Sequence, residues 1–143
     1  MNVLLINGPN LNMLGQRDES LYGSMKIADI VKKIKVMSVE LGVQLDYYQS
    51  NHEGGLVDHI QSSSTESDGI IVNPGALTHY GLSLRDALLD AQLPVIEVHL
   101  SNIHAREEYR RMSVVTSLSV GQVAGLGWKG YIYALEAMVE YLR

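Results

Sequence analysis

The chain opens on an unbroken apolar run, Val3-Leu4-Leu5-Ile6, closed at once by Asn7-Gly8-Pro9-Asn10. So short a run without polar alternation fits a strand covered on both faces. With no basic segment ahead of it, the run reads as a buried strand and not as a signal peptide. From Gly8 to Gly23 neither a helical nor a strand period is present. Ser24 is placed to cap a helix through about Leu41, because Ile27, Ile30, Val31, Ile34 and Met37 or Ser38 form one helical stripe and Gly42 stops it. Val43 to Tyr48 is expected as a second strand. Gly55 to about Ser63 is expected as a second helix with Leu56, Val57 and Ile60 inward. Gly69–Val72 and Pro94–Val98 read as further strands, with a helix over Leu82–Ala91 between them. Val120–Leu126 fits a fifth strand and Tyr131–Leu142 a final helix.

Strands alternating with helices imply βαβ units with right-handed crossovers and a parallel sheet. The fold expected is α/β, a flavodoxin-like three-layer sandwich with a five-stranded parallel sheet, in a single domain over residues 1–143. In such sheets ligands sit beyond the carboxyl ends of the strands. Three of those ends are rich in polar, turn-forming residues: Asn7-Gly8-Pro9-Asn10, Asn73 through His79, and His99-Leu100-Ser101-Asn102. Their convergence argues for a site.

Composition narrows the class. At 143 residues, 46% hydrophobic and 19% charged, the chain suits an ordinary globule. It has no cysteine, which excludes disulfides, thiolate nucleophiles and Cys-ligated metals and agrees with a reducing cytoplasm. A net charge of −5 has the wrong sign for a nucleic-acid partner. No apolar stretch approaches the length of a membrane span. There are eight tyrosines and no phenylalanine, so most tyrosines are expected to fill apolar aromatic positions.

Several motifs point away from familiar chemistry. Gly125-Leu126-Gly127-Trp128-Lys129-Gly130 spells G-x-G-x-x-G, but too little chain follows to supply the strand and acidic residue of a dinucleotide site. It reads as a glycine-rich turn into the last helix. No P-loop and no nucleophile elbow occurs. The lysines gather mostly on the polar side of the first helix, away from any dry pocket that would make one a Schiff-base nucleophile. The end of the first strand lacks the clustered acids of a receiver and the Ser/Thr phosphate loop of a flavin module. Glu97 and His99 fall on one strand face, a spacing that suits a carboxylate orienting an imidazole and keeping it protonated, or a structural histidine. No third ligand accompanies them, so no metal is expected. The long polar loop from Gly15 to Gly23 resembles a lid, on which Arg17 and Tyr22 could meet. A phenol beside an arginine is biased toward phenolate; the alternative is a tyrosine that only packs. Arg106 and Arg110, spaced i, i+4 on an expected helical segment with Glu107 and Glu108, fit a solvated salt-bridged face. The alternative is a grip on an anionic or polyhydroxylated small molecule.

Taken in order, these segments resemble the type II 3-dehydroquinases. The resemblance rests on Ile6 through Gly15 with Arg17 and Tyr22-Gly23, Gln49 through Gly54, Asn73-Pro74-Gly75-Ala76 through His79, Leu84-Arg85-Asp86-Ala87-Leu88, and Ile96 through Asn102 with Ala105 through Arg110. It runs from residue 2 to the final helix. It implies cofactor-free dehydration of 3-dehydroquinate to 3-dehydroshikimate by anti elimination, in the shikimate or quinate pathway, by a homododecamer built as a tetramer of trimers. By the same resemblance Tyr22 is the base and Arg17 the lid arginine that promotes its ionisation. Asn10 holds a water against the enolate, and His99, supported by Glu97, is the general acid. Asn73, His79 and Arg110 hold hydroxyls of the substrate, with Ala76 and Arg106 in the same matched blocks. Leu100 and Ser101 offer backbone and hydroxyl donors to its carboxylate. Asp86 reaches the site of a neighbouring subunit. Leu77, Tyr80-Gly81-Leu82 and Ser113 to Gln122 depart from the pattern without touching these positions.

Overall fold

The computed structural model describes residues 1–143. Five strands form one sheet: β1 (Asn2–Asn7), β2 (Gln44–Gln49), β3 (Gly69–Asn73), β4 (Val95–His99) and β5 (Gly121–Ala124). Five helices accompany them: α1 (Glu19–Tyr22), α2 (Ile27–Glu40), α3 (Glu53–Ser63), α4 (Leu82–Asp90) and α5 (Lys129–Leu142). All strand pairs are parallel, in the order β2-β1-β3-β4-β5. This is the flavodoxin-like order, and its switch point lies between β1 and β3.

Alternation along the strands divides the core between two faces. Val3, Leu5, Ile71, Ile96 and Val98 pack with Ile30, Ile34, Tyr131, Leu135 and Met138 under α2 and α5. Leu4, Ile6, Ile70, Val72 and Val95 pack with Leu56, Ile60, Leu84 and Leu88 under α3 and α4. The expected helical stripe is present, with Ser38 rather than Met37 as its buried residue.

Three boundaries differ from expectation. Helix α2 begins only after Lys26, and no side chain caps it, so Ser24 belongs to the link from α1. Helix α3 starts at Glu53 in spite of Gly54 and Gly55, because Glu53 Oε1 accepts the Leu84 backbone N–H at 3.0 Å and ties α3 to the first turn of α4. Residues 103–110 are not one helix. Two 3-10 turns, Ile103–Ala105 and Glu108–Arg110, flank Arg106 and Glu107, both in extended conformations, so Arg106 and Arg110 share no helical face. The periodless segment before Gly23 holds a 3-10 turn at Leu11–Met13 and the single turn α1. The glycine-rich motif is indeed a turn into α5, pinned where the Gly125 and Gly127 N–H groups donate to the carbonyls of His99 and Leu100.

Candidate active site

The site forms where β1, β3 and β4 end. Asn7 and Asn73 are register partners on adjacent strands, so the loops that follow them leave side by side. These loops touch backbone to backbone. A Cβ on Gly8 would lie 2.3 Å from the Pro74 carbonyl oxygen, and one on Gly75, whose φ is +60°, 2.9 Å from that of Pro9. Only glycine permits that approach. Asn10 is left-handed, with φ 69°, and its N–H donates to Asn51 Oδ1 at 3.0 Å.

Above this floor lies a cleft. Of the residues expected at the site, it is lined by Asn10, Arg17, Tyr22, Asn73, Ala76, His79, His99, Leu100, Ser101, Arg106 and Arg110. Glu97 lies behind His99, and Asp86 stands apart, exposed on α4 beside Arg85. Leu11 and Ile103 supply apolar wall that the sequence did not single out.

Tyr22 and Arg17 do meet. Arg17 Nη2 donates to the Tyr22 hydroxyl at 3.2 Å, and its guanidinium stacks 4.1 Å from the ring centre. The turn that carries Tyr22 is capped by Asp18, whose carboxylate accepts from the Ser20 hydroxyl at 2.6 Å and the Ser20 N–H at 3.0 Å. These bonds, the side-chain one first, hold the Asp18 carboxyl below its ordinary range. Arg106 reaches the same phenol oxygen at 3.0 Å and the Ser101 hydroxyl at 3.4 Å. Glu107 accompanies two of the three cleft arginines, 3.1 Å from Arg110 Nε and 3.7 Å from Arg106 Nε.

Opposite stands the His99–Glu97 pair. Glu97 has no exposed surface, and His99 Nε2 donates to its Oε1 at 2.5 Å. A buried carboxylate must be fully partnered. Thr78 donates to Oε1 at 2.5 Å and Ser113 at 2.8 Å, while Thr116 donates to Oε2. Burial pushes the Glu97 carboxyl up, but the hydrogen bonds from His99, Thr116 and Thr78 outweigh it and hold the group at about 2. His99 Nδ1 is left for a ligand. His79 is oriented similarly: Nδ1 donates to the Met112 carbonyl at 2.6 Å, leaving Nε2 toward the cleft. No three His, Asp or Glu side chains gather as metal ligands would.

The arrangement joins a tyrosine under two guanidinium groups to a carboxylate-backed histidine in one cleft. Thr78, Ser113 and Thr116 were not found from sequence; the available signal was the need of a buried Glu97 for several donors.

The chain is similar to known proteins over nearly its whole length. The family model for Dehydroquinase class II matches residues 1–139. The 3-dehydroquinate dehydratase of Herpetosiphon aurantiacus is 52% identical over 140 residues, covering 98% of this chain and 97% of that protein. That of Halothermothrix orenii is 50% identical over 141 residues, covering 99% and 95%. The crystal structure of type II dehydroquinase from Butyrivibrio crossotus superposes with a TM-score of 0.94 at 44% identity, covering 96% of this chain and 97% of that one. The chain belongs to the class II dehydroquinase family.

Proposed function

We propose that this chain is a 3-dehydroquinate dehydratase, a hydro-lyase that forms 3-dehydroshikimate by anti elimination through an enolate. The observation that carries the reading is the Tyr22 hydroxyl held by Arg17 and Arg106 in the cleft that His99 and Glu97 also serve. A β-hydroxyketone needs a base at the acidic α-carbon, charge stabilisation for the enolate and an acid for the departing oxygen. Two cationic donors on one oxygen suit an anionic phenolate. Tyr22 takes the α-proton, and a water held by Asn10 stabilises the enolate oxygen. His99, oriented by Glu97, gives its proton to the leaving hydroxyl, which departs as water. Asn73, His79 and Arg110 hold the substrate's hydroxyls beside Ala76. The Leu100 backbone and the Ser101 hydroxyl take its carboxylate, with Arg106 between that subsite and the base.

In this reading the 1–143 domain works in the cytoplasm as a dodecamer, a tetramer of trimers, and the exposed Asp86 completes a neighbour's cleft. Purified protein with 3-dehydroquinate should generate the ultraviolet absorbance of a conjugated enone; none from folded oligomer overturns the reading. Tyr22→Phe should abolish turnover with assembly intact, and near-normal rates would remove Tyr22 as the base.

A further inference from the structure

Tyr131 lies in the first turns of α5, inside the apolar layer between that helix and the sheet, with none of its surface exposed. Its hydroxyl is nevertheless fully engaged. It donates to Asn7 Oδ1 at 2.8 Å and accepts from Asn73 Nδ2 at 2.9 Å. Burial pushes the Tyr131 phenol well above its ordinary range, so its oxygen keeps the proton it donates. Asn7 and Asn73 end β1 and β3, and the phenol bridges them at the switch point of the sheet.

The consequence falls on Asn73. Its Oδ1 accepts the Gly75 N–H at 3.2 Å, and one amide hydrogen is committed to Tyr131. An amide carries two hydrogens on nitrogen, so one is left for the cleft that Asn73 lines. A reversed amide would set its NH₂ against the Gly75 N–H, donor against donor. It would also offer its carbonyl to a phenol whose only proton is already given to Asn7. Ring and helix packing would be satisfied by phenylalanine; the hydroxyl acts with the Gly75 N–H to select the amide orientation.

We propose that Tyr131 is a positioning residue whose hydroxyl fixes Asn73 as a hydrogen-bond donor toward a hydroxyl oxygen of the substrate. The inference rests on the dehydratase reading and adds to it a residue outside the cleft. Its role is separable from packing because its effect on the substrate passes through Asn73.

The test is steady-state kinetics on 3-dehydroquinate with the full chain. Tyr131→Phe should lower kcat/KM by roughly tenfold, mainly through KM, as loss of one oriented hydrogen bond does. In an Asn73→Ala background the same substitution should cost less than about twofold, because the group it orients is gone. A full tenfold loss in both backgrounds, or wild-type kcat/KM in folded Tyr131→Phe, overturns the proposal. Asn7→Ala supplies a second route should Tyr131→Phe not fold. It frees the phenol O–H to donate to the carbonyl of a reversed Asn73 and should raise KM in the same way; an unchanged KM overturns the proposal. An inactive wild-type enzyme would instead remove the dehydratase reading and this inference with it, whereas active wild type with unaffected variants removes only the inference.

Discussion

Arg106 Nη1 stands 3.0 Å from the Tyr22 hydroxyl, inside the 3.2 Å at which Arg17 holds the same oxygen. The two arginines come from different loops. Arg17 belongs to the segment before α1 and Arg106 to the loop after β4. Were the 15–23 loop to act as the proposed lid and swing away, Tyr22 would leave with Arg17 but lose Arg106, and the second contact would mark closure.

Arg106→Gln should accordingly lower kcat by about 10- to 100-fold, the size expected for one hydrogen bond to a charged group. Arg17→Gln should act in the same direction. Steady-state rates for the two variants, with circular dichroism to establish folding, check this. An Arg106→Gln enzyme with the kcat of wild type would make its contact with Tyr22 incidental.

Arg106 also illustrates what the sequence could and could not disclose. The parallel sheet and the cleft location follow from short apolar strand runs, a helical period of 3.6 and polar strand ends, and these local signals held. Arg106 was ambiguous because its i, i+4 spacing from Arg110 implies a shared helical face only if the segment is helical. The extended backbone at Arg106 and Glu107 breaks that face and turns Arg106 inward. The hydroxyls of Thr78, Ser113 and Thr116 were silent for a related reason. They reach Glu97 from far along the chain, and nothing local distinguishes them from solvated loop residues. Tyr131 was one aromatic among eight tyrosines, and only the packed structure separates its hydroxyl from the rest.

Acid should unfold the protein through Glu97. Its folded pKa of about 2 lies below the ordinary 4.5. The carboxylate therefore contributes stability that is fully present above the ordinary value and is lost as pH falls from there toward 2. The linkage amounts to on the order of 3 kcal/mol. Urea unfolding between pH 7 and pH 2.5 should show that fall, and Glu97→Gln should flatten it while being less stable at pH 7. An equally steep acid limb in Glu97→Gln would locate the sensitivity elsewhere.

Thr116→Val removes a donor to Glu97 Oε2 while keeping side-chain shape. Leaving part of a buried carboxylate unpaired should cost about 1–3 kcal/mol. The midpoint of urea unfolding at pH 7 reports it; a change below about 0.5 kcal/mol, the scatter of neutral surface substitutions, would mean that water replaces the hydroxyl.

Gly8→Ala should be more damaging than its single methyl suggests. The added carbon would meet the Pro74 carbonyl at 2.3 Å, so one of the two loop backbones must move. A destabilisation of about 1–3 kcal/mol is expected from such overpacking. Activity should fall further than stability does, because those loops carry Asn10 and Ala76. Calorimetry alongside kcat/KM separates the two effects, and parallel modest losses would contradict a rigid floor.

The three arginines at the cleft sit on a chain whose net charge is −5. On the proposed function, the net charge would repel an approaching carboxylate at long range while the arginines at this opening would attract it. That guidance reaches only about 10 Å at 0.1 M salt. Capture of an anionic substrate should thus slow as salt is added, while a neutral molecule of the same shape would approach at a rate indifferent to it.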